Sequence, residues 1–199
     1  MTHQTIEEST AKPAQSISPA KLAHVVLRTK QYEPMVQWYK TVLQAHATYE
    51  VPGTMAFLTY DDEHHRVAVL AVPVLADRPP MANGLEHIAF TYAELGDLIH
   101  TYERLKGAGI EPYWTINHGP TMSFYYRDPD NNQLELQVDN METIEEVNAF
   151  LDAEYPTNPI GVEFDPDDLA RRFHEGVPES ELRARPNIGK RGMEGVPTI

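Results

Sequence analysis

The strongest constraint on this chain is that one pattern occurs twice. Leu22 returns as Leu85, His24 as His87 and Tyr39 as Tyr102, each 63 residues later and without a gap. Internal repetition governs a fold before any local propensity does, because one repeat unit rarely buries its own apolar face. The first unit reads as a strand over Leu22–Thr29, a helix over Tyr32–Ala47 and strands over Thr48–Val51, Met55–Tyr60 and Arg66–Val74. Met35, Val36, Tyr39, Val42 and Leu43 fall at helical spacing. The second unit repeats the order. A strand over Leu85–Tyr92 precedes a helix over Ala93–Ala108, with Leu95, Leu98, Ile99, Tyr102 and Leu105 as its apolar stripe. Strands then follow over Ile110–Ile116, Met122–Asp128 and Gln133–Val138, with Asp128-Pro-Asp-Asn-Asn132 as a turn between the last two. The expected fold class is α+β. Two βαβββ repeats, over residues 20–76 and 84–140, form a single barrel-like sheet module with helices outside. The join lies near Asp77–Gly84, at Pro79 and Pro80.

Residues flanking the repeats carry other signals. Residues 1–19 are polar, with Pro13 and Pro19, and read as a flexible arm. Residues 141–199 read as a C-terminal helical extension and tail. Thr143–Tyr155 has a helical pattern, Asp167–Phe173 a shorter one, and Gly176–Ile199 is rich in Pro, Gly and charge. That last stretch fits a packed-down or subunit-crossing tail, or a disordered one.

Composition removes several function classes. The chain has 199 residues and a formal net charge of -14, which disfavours nucleic acid and anionic membranes as partners. With no cysteine there is no disulfide, zinc-thiolate site, Fe–S cluster or thiol nucleophile. No apolar stretch is long enough to span a bilayer, and the polar, acidic start is unlike a signal peptide. A cytoplasmic location is expected.

The repeat also places chemistry. His24 and His87 sit mid-way along the first strand of their units, and Glu135 lies on the last strand of the second. By strand alternation Glu135 shares a face with Gln133 and Gln137, opposite Leu134, Leu136 and Val138. An inward carboxylate is costly to bury unless it is paired or holds a metal. Two imidazoles and one carboxylate on rigid strands form the ligand set of a non-haem Fe(II) site with open positions. Mn(II) accepts the same N/O donors. Carried back by 63 residues, Glu135 falls on Val72, so the ungapped repeat supplies three ligands and not four.

The repeat, these ligands and the segment Asn117–Asp139 together resemble the vicinal oxygen chelate superfamily. Within it, residues 20–140 resemble type I extradiol catechol dioxygenases of the one-domain kind. That resemblance implies a vicinal oxygen chelate domain with metal ligands His24, His87 and Glu135. It implies catalytic roles for His65, in Asp61-Asp-Glu-His-His-Arg66, and for Tyr125, ten residues before the ligand Glu. His118 resembles a further pocket histidine, although Gly119-Pro120-Thr121 follows it in place of the family's Asn-Asp. The implied reaction is Fe(II)-dependent cleavage of a catecholic small molecule with O2, by a homo-oligomer (dimer or larger). The alternatives are a glyoxalase-like isomerase, an antibiotic-modifying transferase, or a metal-free small-molecule binding protein on the same fold. His3, His46, His100 and His174 have no expected role.

Overall fold

A computed structural model describes residues 18–79 and 82–197. The expected arm over residues 1–19 lies almost wholly outside the described residues, as do Pro80 and Met81 within the join. The first unit runs β1 (Val25–Thr29), α1 (Tyr32–Val42), β2 (His46–Val51), β3 (Met55–Thr59) and β4 (Val67–Ala71). The second runs β5 (His87–Tyr92), α2 (Leu95–Gly107), β6 (Trp114–Asn117), β7 (Thr121–Arg127) and β8 (Gln133–Asp139). Both units are βαβββ, as the repeat requires. The backbone ladders run within each unit, so the sheet module is two sheets, ordered β1-β4-β3-β2 and β5-β8-β7-β6-β9. In each unit the first and last strands pair in parallel, and the remaining pairs are antiparallel.

The helices cover one face of these sheets because their stripes demand it. Tyr32, Met35, Val36, Tyr39 and Val42 of α1 are buried, as are Leu95, Leu98, Ile99, Tyr102 and Leu105 of α2. One apolar cluster runs through both units and takes in Leu58, Val67, Val69, Phe124, Leu134 and Leu136. Helix α2 ends where Gly109 adopts φ +75° and the Ile110 amide donates back to the Leu105 carbonyl, a left-handed termination that glycine allows without strain. Polar contacts also bind the units together. The Tyr39 hydroxyl donates to buried Asp128 at 3.0 Å, and Arg104 donates to the Thr41 and Val42 carbonyls at 2.6 and 3.1 Å.

Register corrects one sequence expectation. Val26 faces Ala68 across the β1–β4 ladder, while Ala89 faces Glu135 across β5–β8. Val26 and Ala89 are 63 residues apart, so the counterpart of Glu135 is Ala68 and not Val72. The second unit is longer between its first and last strands, and an ungapped offset drifts past that difference. The consequence for chemistry stands, because alanine is no more a ligand than valine.

Beyond Asn140 the chain forms α3 (Ile144–Glu154), β9 (Val162–Glu163), α4 (Pro166–His174) and α5 (Glu179–Leu182). Thr143 and Glu146 form a reciprocal capping box at the start of α3. Asp165 caps α4, whose first position is Pro166. Strand β9 was not legible in the sequence. It extends the second sheet by pairing with Ile116 and Asn117 of β6. The segment after α5 is tied down by arginines: Arg185 donates to the Asn158 carbonyl at 2.7 Å, and Arg191 donates to the Gly161 carbonyl at 3.0 Å and pairs with Glu163. Among the described residues no helix is long and apolar enough to cross a membrane.

Candidate active site

Strand alternation sends Leu134, Leu136 and Val138 of β8 into the core beneath α2 and turns Glu135 to the opposite face. Across that face the pairing sets Ala89, Glu135, Tyr125 and Trp114 in one row over four strands. His87 lies two residues before Ala89, on the same side. Its Nε2 meets Glu135 Oε2 at 3.0 Å, and Glu135 is 5% exposed. Burial pushes the Glu135 carboxyl up, but hydrogen bonds from His87 and Ser123 outweigh it and leave the group below the usual range. His87 moves the other way: its bond to Glu135 raises it against the opposing effect of burial. The two shifts agree on a hydrogen-bonded pair in which the carboxylate is ionised.

Tyr125 and His118 stand beside this pair. The His87 and Tyr125 rings are 5.5 Å apart at nearly a right angle. Burial and then the Glu135 charge hold the Tyr125 phenol above its ordinary pKa, so it stays protonated at neutral pH. His118 Nε2 lies 3.0 Å from the Tyr125 hydroxyl, and its Nδ1 faces the Ile160 carbonyl at 2.5 Å. Burial pushes the His118 imidazole down, which keeps it neutral. Trp114 packs along Tyr125 with centroids 4.9 Å apart.

His24 and His65 lie at the end of the other sheet, just outside its strands. His24 is exposed at the N-terminal edge of β1, one residue short of the ladder, with its ring 4.2 Å from that of His65. His65 stacks on Phe57 with centroids 4.6 Å apart and planes 18° from parallel. Burial and then the neighbouring His24 depress the His65 pKa, so its imidazole is neutral at pH 7. His64 completes this group, its Nδ1 2.6 Å from that of His65. Ligand-type atoms of His24, His64 and His65 all lie within 4.8 Å of one another.

The sequence-derived triad is therefore laid out as two plus one. His87 and Glu135 meet directly, whereas His24 is gathered with His64 and His65 on the first sheet. Physically, Glu135 is buried and takes its charge partner from the adjacent parallel strand, while β1 is the edge of a separate sheet. Their chemistry fits a divalent metal, since the set offers an ionised carboxylate and two imidazoles. Sequence reasoning missed three participants: His64, Ser123 as a donor to Glu135, and Trp114. Alternation could have found Ser123, which lies two residues from Tyr125 on the same face. The Ile160 carbonyl carries no sequence signal at all.

Residues 21–136 match the model of the glyoxalase/bleomycin resistance protein/dioxygenase superfamily. The chain belongs to that superfamily. Two members from Rhodococcus globerulus are similar over most of their length. Biphenyl-2,3-diol 1,2-dioxygenase 2 is 50% identical over 164 residues, 81% of this chain and 86% of that protein. Biphenyl-2,3-diol 1,2-dioxygenase 3 is 51% identical over 168 residues, 83% of this chain and 88% of that protein. Among solved structures, the superfamily domain from Frankia sp. EAN1pec aligns with a TM-score of 0.54 at 21% identity. It covers 62% of this chain and 100% of the Frankia domain, which establishes a shared fold and nothing about its chemistry.

Proposed function

We propose that this chain is an extradiol dioxygenase. It opens a catechol-type aromatic at the ring bond beside the two hydroxyls and incorporates both atoms of O2. One observation carries the reading: a buried His87–Glu135 pair lies beside Tyr125 and His118 in a chain half identical to two biphenyl-2,3-diol 1,2-dioxygenases. His24, His87 and Glu135 are the residues that would hold the metal. Fe(II) is the choice that fits this chemistry, with Mn(II) as the other N/O-tolerant candidate. Bound there, such a metal would supply Lewis acidity toward the catechol hydroxyls and redox chemistry toward O2.

The remaining work falls to side chains. Glu135, ionised by its hydrogen bonds, supplies one negative charge to the divalent ion. His65, neutral at pH 7 and braced on Phe57, accepts and returns a proton on the oxygen side. Tyr125, kept protonated, hydrogen-bonds a substrate oxygen, and His118 supports it from behind. Phe57, Tyr49 and Val26 give the ring body an apolar wall on the first sheet. Tyr49 is 54% and Val26 49% exposed, and both share the strand-paired row of Ala68 and Phe57. Ala68 argues against a glyoxalase-like isomerase, which needs a fourth protein ligand where that alanine stands.

Residues 20–140 form the catalytic module in this reading and residues 141–199 its extension. The substrate is a small catechol, used with O2 in the cytoplasm by a homo-oligomer of two or more chains. Neither nucleic acid nor membrane is a partner. The test is anaerobic reconstitution with Fe(II), followed by oxygen uptake and the appearance of yellow ring-opened product across a panel of catechols. Uptake matched mole for mole by product supports the reading. An iron-replete protein that consumes no oxygen with any catechol contradicts it.

A further inference from the structure

Ile160 lies beyond the residues matched by the superfamily model, yet its backbone carbonyl sits 2.5 Å from His118 Nδ1. A carbonyl can only accept, so His118 must carry its proton on Nδ1. In a neutral imidazole that leaves Nε2 as a bare acceptor, 3.0 Å from the Tyr125 hydroxyl. A free neutral imidazole prefers the opposite form, with the proton on Nε2. We infer that the C-terminal extension fixes His118 in the Nδ1–H tautomer, and thereby makes it the acceptor for the Tyr125 proton. The consequence for catalysis rests on the dioxygenase reading; the tautomer does not.

The extension is built to hold that carbonyl in place. Asn158 is buried, and its Oδ1 accepts from the Ile160 and Gly161 amides at 3.1 and 2.8 Å while its Nδ2 donates to the Gly161 carbonyl at 3.0 Å. Gly161 has φ +126°, and a Cβ there would lie 2.5 Å from the Asn117 carbonyl oxygen, so this tight turn presses directly on β6. Arg185 bridges the two sides. Its guanidinium donates to the Asn158 carbonyl at 2.7 Å and to the His118 carbonyl at 3.3 Å. These three bonds and the arginine bridge set the distance between the Ile160 carbonyl and His118. Arg185 and Asn158 are positioning residues, since they act through the Ile160–Gly161 amides and the Asn158 and His118 carbonyls.

The Tyr125 phenol has one proton, and its hydroxyl lies 3.0 Å from His118 Nε2. With Nδ1 holding the imidazole proton, His118 Nε2 is the acceptor that the Tyr125 hydroxyl meets. The phenol oxygen is then free to receive a hydrogen bond from a catechol hydroxyl. As that hydroxyl gives its proton to the Tyr125 oxygen, the Tyr125 proton passes to His118 Nε2. The products are a catechol monoanion and an imidazolium whose Nδ1–H still rests on Ile160. A histidine held in the other tautomer would point an N–H at Tyr125 and block this route.

The direct test is a long-range ¹H–¹⁵N correlation spectrum of the full-length ¹⁵N-labelled chain. Diamagnetic Zn(II) replaces iron, and His118 is assigned by its loss in His118→Gln. The expected result is a protonated Nδ1 and a bare Nε2. In Arg185→Ala the His118 signals should shift toward the Nε2–H form. Its iron enzyme should lose about 10- to 100-fold in kcat with KM within about twofold, as misplacement of a reacting partner does. Arg185→Lys should fall between the two. Should Arg185→Ala fail to fold, Asn158→Asp keeps the two bonds to Oδ1 and removes the donation to Gly161, and should shift the tautomer by less. A wild-type His118 protonated on Nε2 overturns the inference even if the enzyme is active. So does a wild-type tautomer in the folded Arg185→Ala. The expected tautomer in a protein inert toward every catechol would instead overturn the dioxygenase reading and support the tautomer assignment.

Discussion

The two halves of this molecule have the same backbone plan and opposite surfaces. Read across equivalent strands, the first half presents Val26, Ala68, Phe57 and Tyr49, and the second presents Ala89, Glu135, Tyr125 and Trp114. At two of the four positions, an apolar side chain in the first half faces a polar, ionisable one in the second. The ionised carboxylate sits on the sheet that also provides its hydrogen-bond donors, His87 and Ser123. The first half sets the imidazoles of His24, His64 and His65 beside its row, and Phe57 braces one of them. In the proposed function this difference divides the labour, the second sheet carrying charge and proton transfer and the first offering the ring an apolar wall.

The largest expected effect that probes this division is at His65, to which the proposed function gives a proton-handling role on the first half. His65→Ala should keep its metal and lose on the order of 10²–10⁴-fold in kcat/KM, measured by oxygen uptake on metal-matched samples. An unchanged rate would leave the first half a wall only. Next comes the equivalent pair Tyr125 and Phe57. Tyr125→Phe should lose about 10²-fold in kcat/KM, whereas Phe57→Leu should act mainly on KM through its contact with ring and His65. Equal losses in kcat at both positions would erase the proposed asymmetry.

A smaller effect concerns stability. Tyr39 and Tyr102 are repeat equivalents and both are buried, but their hydroxyls meet different partners. Tyr39 donates to buried Asp128 and Tyr102 to exposed Asp167. Removing a donor from a buried acceptor costs roughly 1–3 kcal/mol, so Tyr39→Phe should destabilise by about 1–2 kcal/mol in urea titration. Tyr102→Phe should cost about 0.5 kcal/mol, because water replaces the lost donor.

The smallest effect lies at the edge that only the second sheet possesses. Hydrogen bonds from Arg191, and then from Trp114, hold Glu163 of β9 down to about 2, against burial. A carboxyl whose folded pKa is depressed contributes stability above its unfolded value, near 4.5, and loses it as pH falls toward 2. The pair is partly exposed, so solvent screening limits it to about 1 kcal/mol or less. Glu163→Gln should therefore lower stability at pH 7 and match wild type near pH 2. Trp114 fluorescence reports the change, since its Nε1 donates to Glu163 at 3.1 Å.

The sequence made legible whatever follows from periodicity. The two βαβββ units, both helix stripes and the outward turn of Glu135 all came from spacing, because alternation and helical period are local. Residue equivalence between β4 and β8 did not, since the longer second unit broke the ungapped count and moved the repeat counterpart of Glu135 from Val72 to Ala68. Nor did β9 or the Ile160 carbonyl, because two-residue strands and backbone acceptors leave no compositional trace. The separation of His24 from His87 and Glu135 was equally hidden. Strand assignment fixes which face a side chain takes, but not how two sheets abut.

Metal stoichiometry in four single variants tests the central claim most directly. Two histidine groupings compete for His24: one with His87 and Glu135, the other with His64 and His65. Iron should be measured by elemental analysis after anaerobic loading and desalting. The account predicts that His24→Ala, His87→Ala and Glu135→Ala each lose stoichiometric iron while His64→Ala retains it. Full retention in His87→Ala and Glu135→Ala, with loss in His64→Ala, would contradict the account and move the metal to the first sheet.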